Sequence, residues 1–265
     1  MSYCVLLKKA SLVGAFFVSV LMVTPALAFC PLAPDLPRVE VQRVVDGDTL
    51  RLADGRRVRL IGLDTPELAR AGRPAESGAV AARSRLRELV AASHGRVGLR
   101  LGREPHDRYG RTLAHVYDDR GRNLEAQLLA EGLGYRVAIA PNVALVDCQH
   151  TAERQARAAR RGLWKRVPVQ RSNALKRSGF ALLQGRVERV ERNRGGLWLE
   201  LEGSVVLRIK PEQLPQFDLP FVQSLVGRRV EARGWVLERS RRGARPGQAR
   251  WLLPLSHASM LELAP

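Results

Sequence analysis

The sequence predicts a mainly β protein with helices, folded as two small β-barrels in tandem. Short segments that alternate apolar and polar residues are separated by turn sequences such as Asp46-Gly47 and Asp54-Gly55. Helical patterns interrupt the first group of strands. After a polar stretch, the β pattern restarts with almost no helix between its strands. These three observations favour one mixed barrel followed by an almost purely β one.

The N-terminal segment, residues 1–28, is predicted to be an export signal and not part of either barrel. Lys8 and Lys9 precede an apolar run at residues 11–23, and residues 26–28 read Ala-Leu-Ala, a typical cleavage site. The run is shorter than the roughly 20 residues that cross a bilayer. We therefore expect an exported protein, periplasmic or secreted, with no membrane span in its mature form.

Removal of this segment leaves two of the three cysteines, Cys30 and Cys148. Two cysteines in an exported chain usually pair, because the compartment is oxidising. We expect a disulfide that ties the N-terminal arm to a loop late in the first domain. Two unpaired thiols are the alternative.

The first barrel is predicted to contain five strands. Residues 38–63 read as a three-stranded meander, and residues 97–101 and 112–117 as two further strands. The predicted helices span residues 76–92, 124–131 and 151–161. Val80 belongs to the apolar stripe of the first helix, and Asn123 caps the second. Five short strands with interspersed helices are typical of a barrel of the OB type.

The second barrel follows a polar linker and is also predicted to be OB-like. Its expected strands lie at residues 181–190, 197–201, 205–209, 230–237 and 251–255, with a short helix or loop at 211–226. The resulting division is a signal at residues 1–28, a first domain at 29–164, a linker at 165–178 and a β domain at 179–265.

A formal net charge of +18 favours a polyanionic partner, either nucleic acid or an acidic envelope polymer. Trp198, Trp235 and Trp251 fall in predicted strands of the second domain, amid arginines. Exposed tryptophans of an OB barrel stack bases, whereas most tryptophans in strands are core residues. Both interpretations stay open at this stage, although the first predicts nucleic-acid binding by residues 179–265.

Three acids gather in the first barrel despite the positive charge of the chain. Asp48 lies in "VVDGDTLRL", residues 44–52, while Asp64 and Glu67 lie with Arg59 in "RLIGLDTPE", residues 59–67. Turn chemistry is one explanation, since Asp-Gly and Asp-Thr-Pro are common turn sequences. A cation site for phosphate chemistry is the other, because hard divalent cations prefer oxygen ligands.

These two blocks, together with "DRYGRTLAHVY" at residues 107–117, resemble the signature blocks of the staphylococcal nuclease family. The order and spacing agree, as does the tail "AERQARAARRGLW" at residues 152–164, so the resemblance covers about residues 38–164. It implies an exported Ca²⁺-dependent endonuclease, a phosphodiesterase that cuts DNA, RNA or both and leaves 3′-phosphates. One calcium ion per nuclease domain and a monomeric chain are expected.

The resemblance also implies roles for individual residues. Asp48 and Asp64 resemble the calcium ligands of the family, and Thr65 contributes its backbone carbonyl. Glu67 resembles the proposed general base that orients or deprotonates the attacking water.

The remaining implied residues are cationic or aromatic. Arg59 and Arg111 resemble the pair that grips the phosphate, a task for which a planar guanidinium suits better than lysine. Arg108 and Tyr109 resemble the residues that contact a terminal phosphate of the substrate.

One segment departs from the family. At residues 136–142 the chain reads "RVAIAPN", where the type member of the family has tyrosines that flank the nucleotide base. Val137 and Ile139 cannot stack a base as an aromatic ring does. Base preference is therefore not carried over.

Two other functions fit parts of the sequence. A non-catalytic nucleic-acid-binding module of the same fold would keep the barrel without turnover, and a cationic envelope-binding protein would explain the charge but not the acids. Because the implied cleavage residues all precede residue 164, a fragment ending near Pro168 is expected to cut. The alternative is that the second barrel is needed for folding through a shared interface.

Overall fold

The computed structural model describes residues 29–70, 72–166, 168–239 and 248–264 of the chain. The predicted export signal and the middle of the arginine-rich loop at residues 239–250 lie outside the described residues. None of the helices in the described ranges is long and apolar enough to span a bilayer.

Two five-stranded barrels form the molecule, as the sequence predicts. The strands of the first half are β1 (Arg38–Val44), β2 (Thr49–Leu52), β3 (Arg57–Leu60), β4 (Leu63–Asp64), β5 (Arg96–His106), β6 (Thr112–Tyr117) and β7 (Tyr135–Arg136). Its helices are α1 (Ala79–Ala92), α2 (Leu124–Ala130) and α3 (Val146–Ala158). The second half contains β8 (Val169–Arg171), β9 (Gly179–Asn193), β10 (Gly196–Leu201), β11 (Val205–Ile209), α4 (Leu219–Gln223), β12 (Arg229–Glu238), β13 (Trp251–Leu255) and β14 (Leu261–Leu263).

The first barrel closes in the order β1-β2-β3-β6-β5, with β5 pairing back to β1. All pairs are antiparallel except β3 with β6, which run parallel. Side chains along each strand point alternately into and out of the barrel. The inward ones fill one core and stabilise the closed sheet, and they include the fully buried Leu50, Leu52, Val58 and Leu60.

The second barrel repeats this strand order. β9, β10, β11, β13 and β12 pair in sequence, and β12 pairs back to the first half of β9. Here too only one pair of the ring is parallel, β11 with β13. β14 extends the sheet beside β12, and β8 extends it beside β9. Both halves are therefore OB-like barrels with one topology.

The helices differ in detail from their predicted bounds. Val80, expected on the apolar stripe of α1, is 56% exposed, and Ala79 and Ala82 are buried instead. Asn123 caps α2 as predicted, because its side chain accepts a hydrogen bond from the amide of Ala126 at 2.9 Å. α3 begins at Val146, one turn earlier than expected, and ends at Ala158.

The predicted linker at residues 165–178 contributes an edge strand to the second sheet and one residue to its core. β8 runs parallel to β9 within it, Ser172 is fully buried, and Leu175 belongs to the second core. The stretch contains few apolar residues, such as Leu175, and its many charged residues make it look like a linker in the sequence. The stretch is therefore built into the second barrel and not a free tether.

The two barrels share a buried interface. Tyr135 stacks on Phe180 with ring centroids 5.6 Å apart, and Phe180 in turn contacts the edge of Trp235. Ala138 and Val146 of the first half pack into the core of the second barrel. The first barrel thus contributes apolar residues to the core of its neighbour.

Ionic contacts cross the same interface. Arg136 is fully buried, and its Nη1 and Nη2 donate to the Ser259 hydroxyl and carbonyl, each at 2.8 Å. Arg233 of β12 donates to Glu153 of α3 at 2.5 Å, and both side chains are almost fully buried. Buried charges of this kind need partners in place, so the interface fixes one arrangement of the two barrels.

Candidate active site

A tight turn before β2 positions Asp48. The amide of Asp48 donates to Asp46 Oδ1 at 3.1 Å, which folds the Asp46-Gly47 turn on itself. Glycine is required at position 47, because a Cβ there would lie 2.7 Å from both Thr65 Oγ1 and Ala82 Cβ. The turn therefore passes close enough to Thr65 for direct contact with Asp48.

The carboxylate of Asp48 is buried and held by several donors. Its Oδ2 accepts hydrogen bonds from the amide of Thr65 at 2.9 Å and from the Thr65 hydroxyl at 3.0 Å. Its Oδ1 accepts one from the Thr49 hydroxyl at 3.1 Å. These bonds fix the carboxylate at the edge of the barrel, as a preorganised site requires.

Arg59 joins the two acids that the sequence predicts as calcium ligands. It extends from β3 between the buried Val58 and Leu60, and its Nη1 lies 2.7 Å from Asp48 Oδ2. Its Nη2 lies 2.9 Å from Asp64 Oδ1. Burial lowers the pKa of Arg59, but the nearby carboxylates outweigh burial and hold that pKa above its ordinary value. A single guanidinium thus bridges both carboxylates.

Asp64 is positioned by a strand that the sequence did not predict. It ends β4, and β4 pairs with β7 so that Asp64 lies opposite Tyr135. Burial raises the pKa of Asp64 to about 7, although the charge of Arg59 opposes the rise. Burial and the charge of Asp48 likewise raise the pKa of Asp46 to about 6. Four carboxyl groups, those of Asp48, Asp64, Asp46 and Glu67, act on the single charge of Arg59.

These carboxyl groups fit a divalent cation. Asp48 and Asp64 both present a carboxylate oxygen to the guanidinium of Arg59, and hard cations such as Ca²⁺ take oxygen ligands in flexible geometry. Within the described ranges no group of three or more His, Cys, Asp or Glu side chains converges on one site. A cation here therefore needs backbone or water oxygens as well. Coordination by the Thr65 carbonyl stays a prediction.

Glu67 lies at the rim of the site and is exposed. Its amide donates to Glu76 Oε2 at 3.0 Å, and the Glu76 amide donates to the Glu67 carbonyl at 2.8 Å. The charge of Glu67 contributes to the pKa shifts of Arg59 and Asp64, so it acts on the same centre. An exposed carboxylate beside the acids can contact water, and its role as general base stays a prediction.

The loop between β5 and β6 carries the other predicted cationic residues. Arg111 donates through Nε to Asp107 Oδ2 at 2.7 Å, so its guanidinium contacts its own loop and not the two acids. Arg108 lies over the ring of Tyr109, which is 68% exposed. β6 begins directly after Arg111 and pairs with β3, the strand of Arg59. The loop therefore precedes a strand that is adjacent to Arg59. Substrate contacts of Arg108, Tyr109 and Arg111 stay predictions.

The other predicted residues are placed as follows. Cys30 and Cys148 form a disulfide, with Cα atoms 5.1 Å apart. Val137 is buried and Ile139 is 51% exposed, so the segment with missing aromatic residues offers no ring to a base. Tyr135, which the sequence analysis did not single out, faces the second barrel.

The fold and the site together define a class of protein. The site is on an OB-type barrel and contains two carboxylates that contact one arginine. A further acid, Glu67, and the loop of Arg108 and Arg111 lie beside them. These are the parts that phosphodiester hydrolysis requires. The chain is a nuclease, a hydrolase that acts on phosphodiester bonds.

The chain belongs to the family of staphylococcal nuclease homologues, which it matches at residues 57–166. It is 37% identical over 130 residues to the thermonuclease of Staphylococcus intermedius, covering 48% of this chain and 75% of that protein. Micrococcal nuclease of Shigella flexneri is 33% identical over 140 residues, covering 48% of this chain and 73% of the relative. For endonuclease YncB of Bacillus subtilis the identity is 33% over 137 residues, covering 49% and 63%. Each similarity spans about half of the chain, and the family match ends before the second barrel.

Proposed function

We propose that the chain is an exported, Ca²⁺-dependent endonuclease that hydrolyses DNA, RNA or both and leaves 3′-phosphates. The observation that carries the proposal is the bridge of Arg59 between Asp48 and Asp64. Two acids on one arginine provide a cation site and a phosphate donor at the same point. The names of the relatives, which are a thermonuclease, an endonuclease and a micrococcal nuclease, support the same reaction.

The residues divide the work of cleavage. Ca²⁺ held by Asp48, Asp64 and the Thr65 carbonyl would neutralise charge on the scissile phosphate. Arg59 would exchange its contacts with Asp48 and Asp64 for the phosphate oxygens when a cation binds those two acids, and its planar fork can then make two bonds at once to the developing charge. Glu67 accepts a proton from the attacking water at the exposed rim.

Arg111 has to leave Asp107 to take part. Its loop lies next to β3, and a substrate phosphate can take the place of the Asp107 carboxylate, because a guanidinium binds either group in the same bidentate way. Arg108 and Tyr109 of the same loop then contact a terminal phosphate.

Two observations support export. Residues 1–28 have the sequence of a secretory signal, and the mature chain retains one pair of cysteines that lies in bonding position. Both support a periplasmic or secreted location.

The test is a cleavage assay on single- and double-stranded DNA and RNA with calcium, magnesium, zinc or excess chelator. We expect cleavage with calcium, less with zinc, and none with chelator, because the ligands are all oxygen atoms. Asp48→Asn should abolish cleavage, whereas Asp54→Asn, an exposed turn acid in the same barrel, should not. Undiminished cleavage in chelator contradicts the cation site, and binding without turnover under all conditions indicates a non-catalytic module.

A further inference from the structure

The second barrel contains a position equivalent to the catalytic arginine. In the first barrel, Arg59 is the next-to-last residue of β3 and pairs with Thr49 of β2. In the second barrel, Arg208 is the next-to-last residue of β11 and pairs with Trp198 of β10. Because strand order and pairing directions agree, Arg208 and Trp198 occupy the places of Arg59 and Thr49.

The acid that completes the first site is absent from the equivalent place. Asp48 precedes Thr49, whereas Leu197 precedes Trp198 and is buried in the second core. A leucine cannot hold a cation or pair with an arginine. The second barrel thus keeps the outward arginine, lacks this carboxylate and gains an indole, which is suited to binding and not to cleavage.

Trp198 and Arg208 are held in a fixed arrangement on the outer face of the barrel. The guanidinium of Arg208 lies 4.8 Å from the centroid of the Trp198 ring. Its Nε and Nη2 donate to the Gly195 carbonyl at 3.1 and 2.9 Å, and the indole Nε1 donates to Asn193 Oδ1 at 2.9 Å. These bonds use two of the five guanidinium N–H groups and preorganise the pair for a ligand.

The surroundings of this pair are positively charged. Arg192 near the end of β9 and Arg194 in the turn before β10 are exposed, and Arg239, directly after β12, lies 5.8 Å from the Trp198 ring. The acids on the neighbouring strands, Glu191 and Glu200, are paired with Arg189. A polyanion therefore meets a cationic edge around an indole.

We propose that this surface, formed by Trp198, Arg208, Arg192, Arg194 and Arg239, binds single-stranded nucleic acid. The second and third strands and the adjoining loops are where OB barrels bind oligonucleotides. Arginines hold the phosphates, and an indole stacks on a base only when that base is unpaired. The inference rests on the proposed nuclease function, for which this surface holds the strand beyond the cleaved bond.

The experiment measures binding without cleavage, so that a failure of the nuclease activity does not affect its outcome. The full chain in excess chelator is titrated into fluorescent poly-dT and an equally long duplex at several salt concentrations, with anisotropy as the signal. We expect tighter binding of the single strand. Trp198→Ala should weaken that binding about tenfold, because it removes the ring on which one base stacks. Trp198→Phe should keep most of the binding, because it retains an aromatic ring.

Arg208→Gln is compared with Arg171→Gln, which removes the same charge from the exposed edge strand β8. Arg208→Gln should weaken single-strand binding more and lower the salt slope by about one, because one phosphate contact is lost. Thermal unfolding of each variant checks that the barrel remains folded, and Arg208→Gln keeps the test valid if Trp198→Ala does not fold.

Heparin serves as a polyanion without bases. Trp198→Ala should leave heparin binding unchanged, since no base is present to stack. Equal weakening by Arg208→Gln and Arg171→Gln would overturn the proposal, as would equal loss of heparin and single-strand binding in Trp198→Ala. Unchanged binding in both Trp198→Ala and Arg208→Gln would also overturn it.

Discussion

The two barrels place an arginine at the same point of the same strand and surround it differently. In the first barrel Arg59 lies between Asp48 and Asp64, at 2.7 and 2.9 Å. In the second barrel Arg208 lies against Trp198 and binds the Gly195 carbonyl. The two arginines thus share a place in the topology, and their surroundings differ: two carboxylates in the first barrel, an indole and a backbone carbonyl in the second.

The comparison also shows that the barrels are not independent. β7 pairs with β4, the strand that ends in Asp64. Tyr135 of β7 stacks on Phe180 of the second barrel. The second barrel thus supports the strand that positions a predicted calcium ligand. This favours the alternative in which a fragment ending near Pro168 loses its fold, because the cut exposes the buried Arg136 and Ala138.

The largest expected effect concerns this interface. Glu153→Gln keeps the shape of the side chain but leaves the buried Arg136 and Arg233 without their common carboxylate. Loss of one partner of a buried ion pair costs about 3–5 kcal/mol in the free energy of unfolding. Denaturant unfolding measures it, with the exposed Glu191→Gln as the control that should leave stability unchanged. If Glu153→Gln is as stable as the wild type, the barrels are separable units.

The next effect tests the arginine of the first barrel. Arg59→Lys should lower turnover about a hundredfold, because loss of a bidentate contact to developing charge costs about 3 kcal/mol. Arg57→Lys, on the same strand but exposed, should retain the wild-type rate. Steady-state cleavage with calcium provides the measurement. A near-normal rate in Arg59→Lys would make that residue a structural partner of the acids.

Arg111→Lys should also slow cleavage, although by less, since Arg111 has to exchange Asp107 for the substrate. The salt dependence and turnover of the variant can be measured in the same assay. A wild-type rate would assign Arg111 to its loop alone.

The smallest effect is a pH dependence of the interface. Burial, followed by the charge of Arg136, lowers the pKa of both His150 and His257 below the ordinary value of 6.5. The unfolded chain therefore binds more protons below pH 6.5, so stability is full above that pH and falls as the pH drops through the folded pKa values. Denaturant midpoints between pH 8 and pH 5 should show this fall. The double variant His150→Gln with His257→Gln should flatten it, and an unchanged slope would contradict it.

Most of both barrels could be predicted from the sequence, because one buried face imposes a strict alternation on each strand. The acids of the site could be predicted for a different reason. Asp48, Arg59 and Asp64 all lie between residues 48 and 64, on consecutive short strands and the turn before them, so local sequence brings them together.

The interface could not be predicted in this way. β7 has only two residues and no period to detect. Arg136 is buried against Ser259 and Glu262, more than a hundred residues away, and nothing near it in the sequence marks it as buried. Of the three tryptophans in the second domain, Trp251 is core, Trp235 contacts Phe180 at the interface although it is 37% exposed, and Trp198 lies on the outer face.

The most direct test of the account is the single-turnover cleavage rate of Asp64→Asn at saturating calcium and saturating single-stranded oligonucleotide. The account predicts a loss of at least about a hundredfold, because the cation site and the bridge to Arg59 lose one of their two carboxylates. Asp54→Asn, measured in parallel, should cut at the wild-type rate. A rate for Asp64→Asn that equals the wild type would show that the two acids on Arg59 are not the cleavage centre.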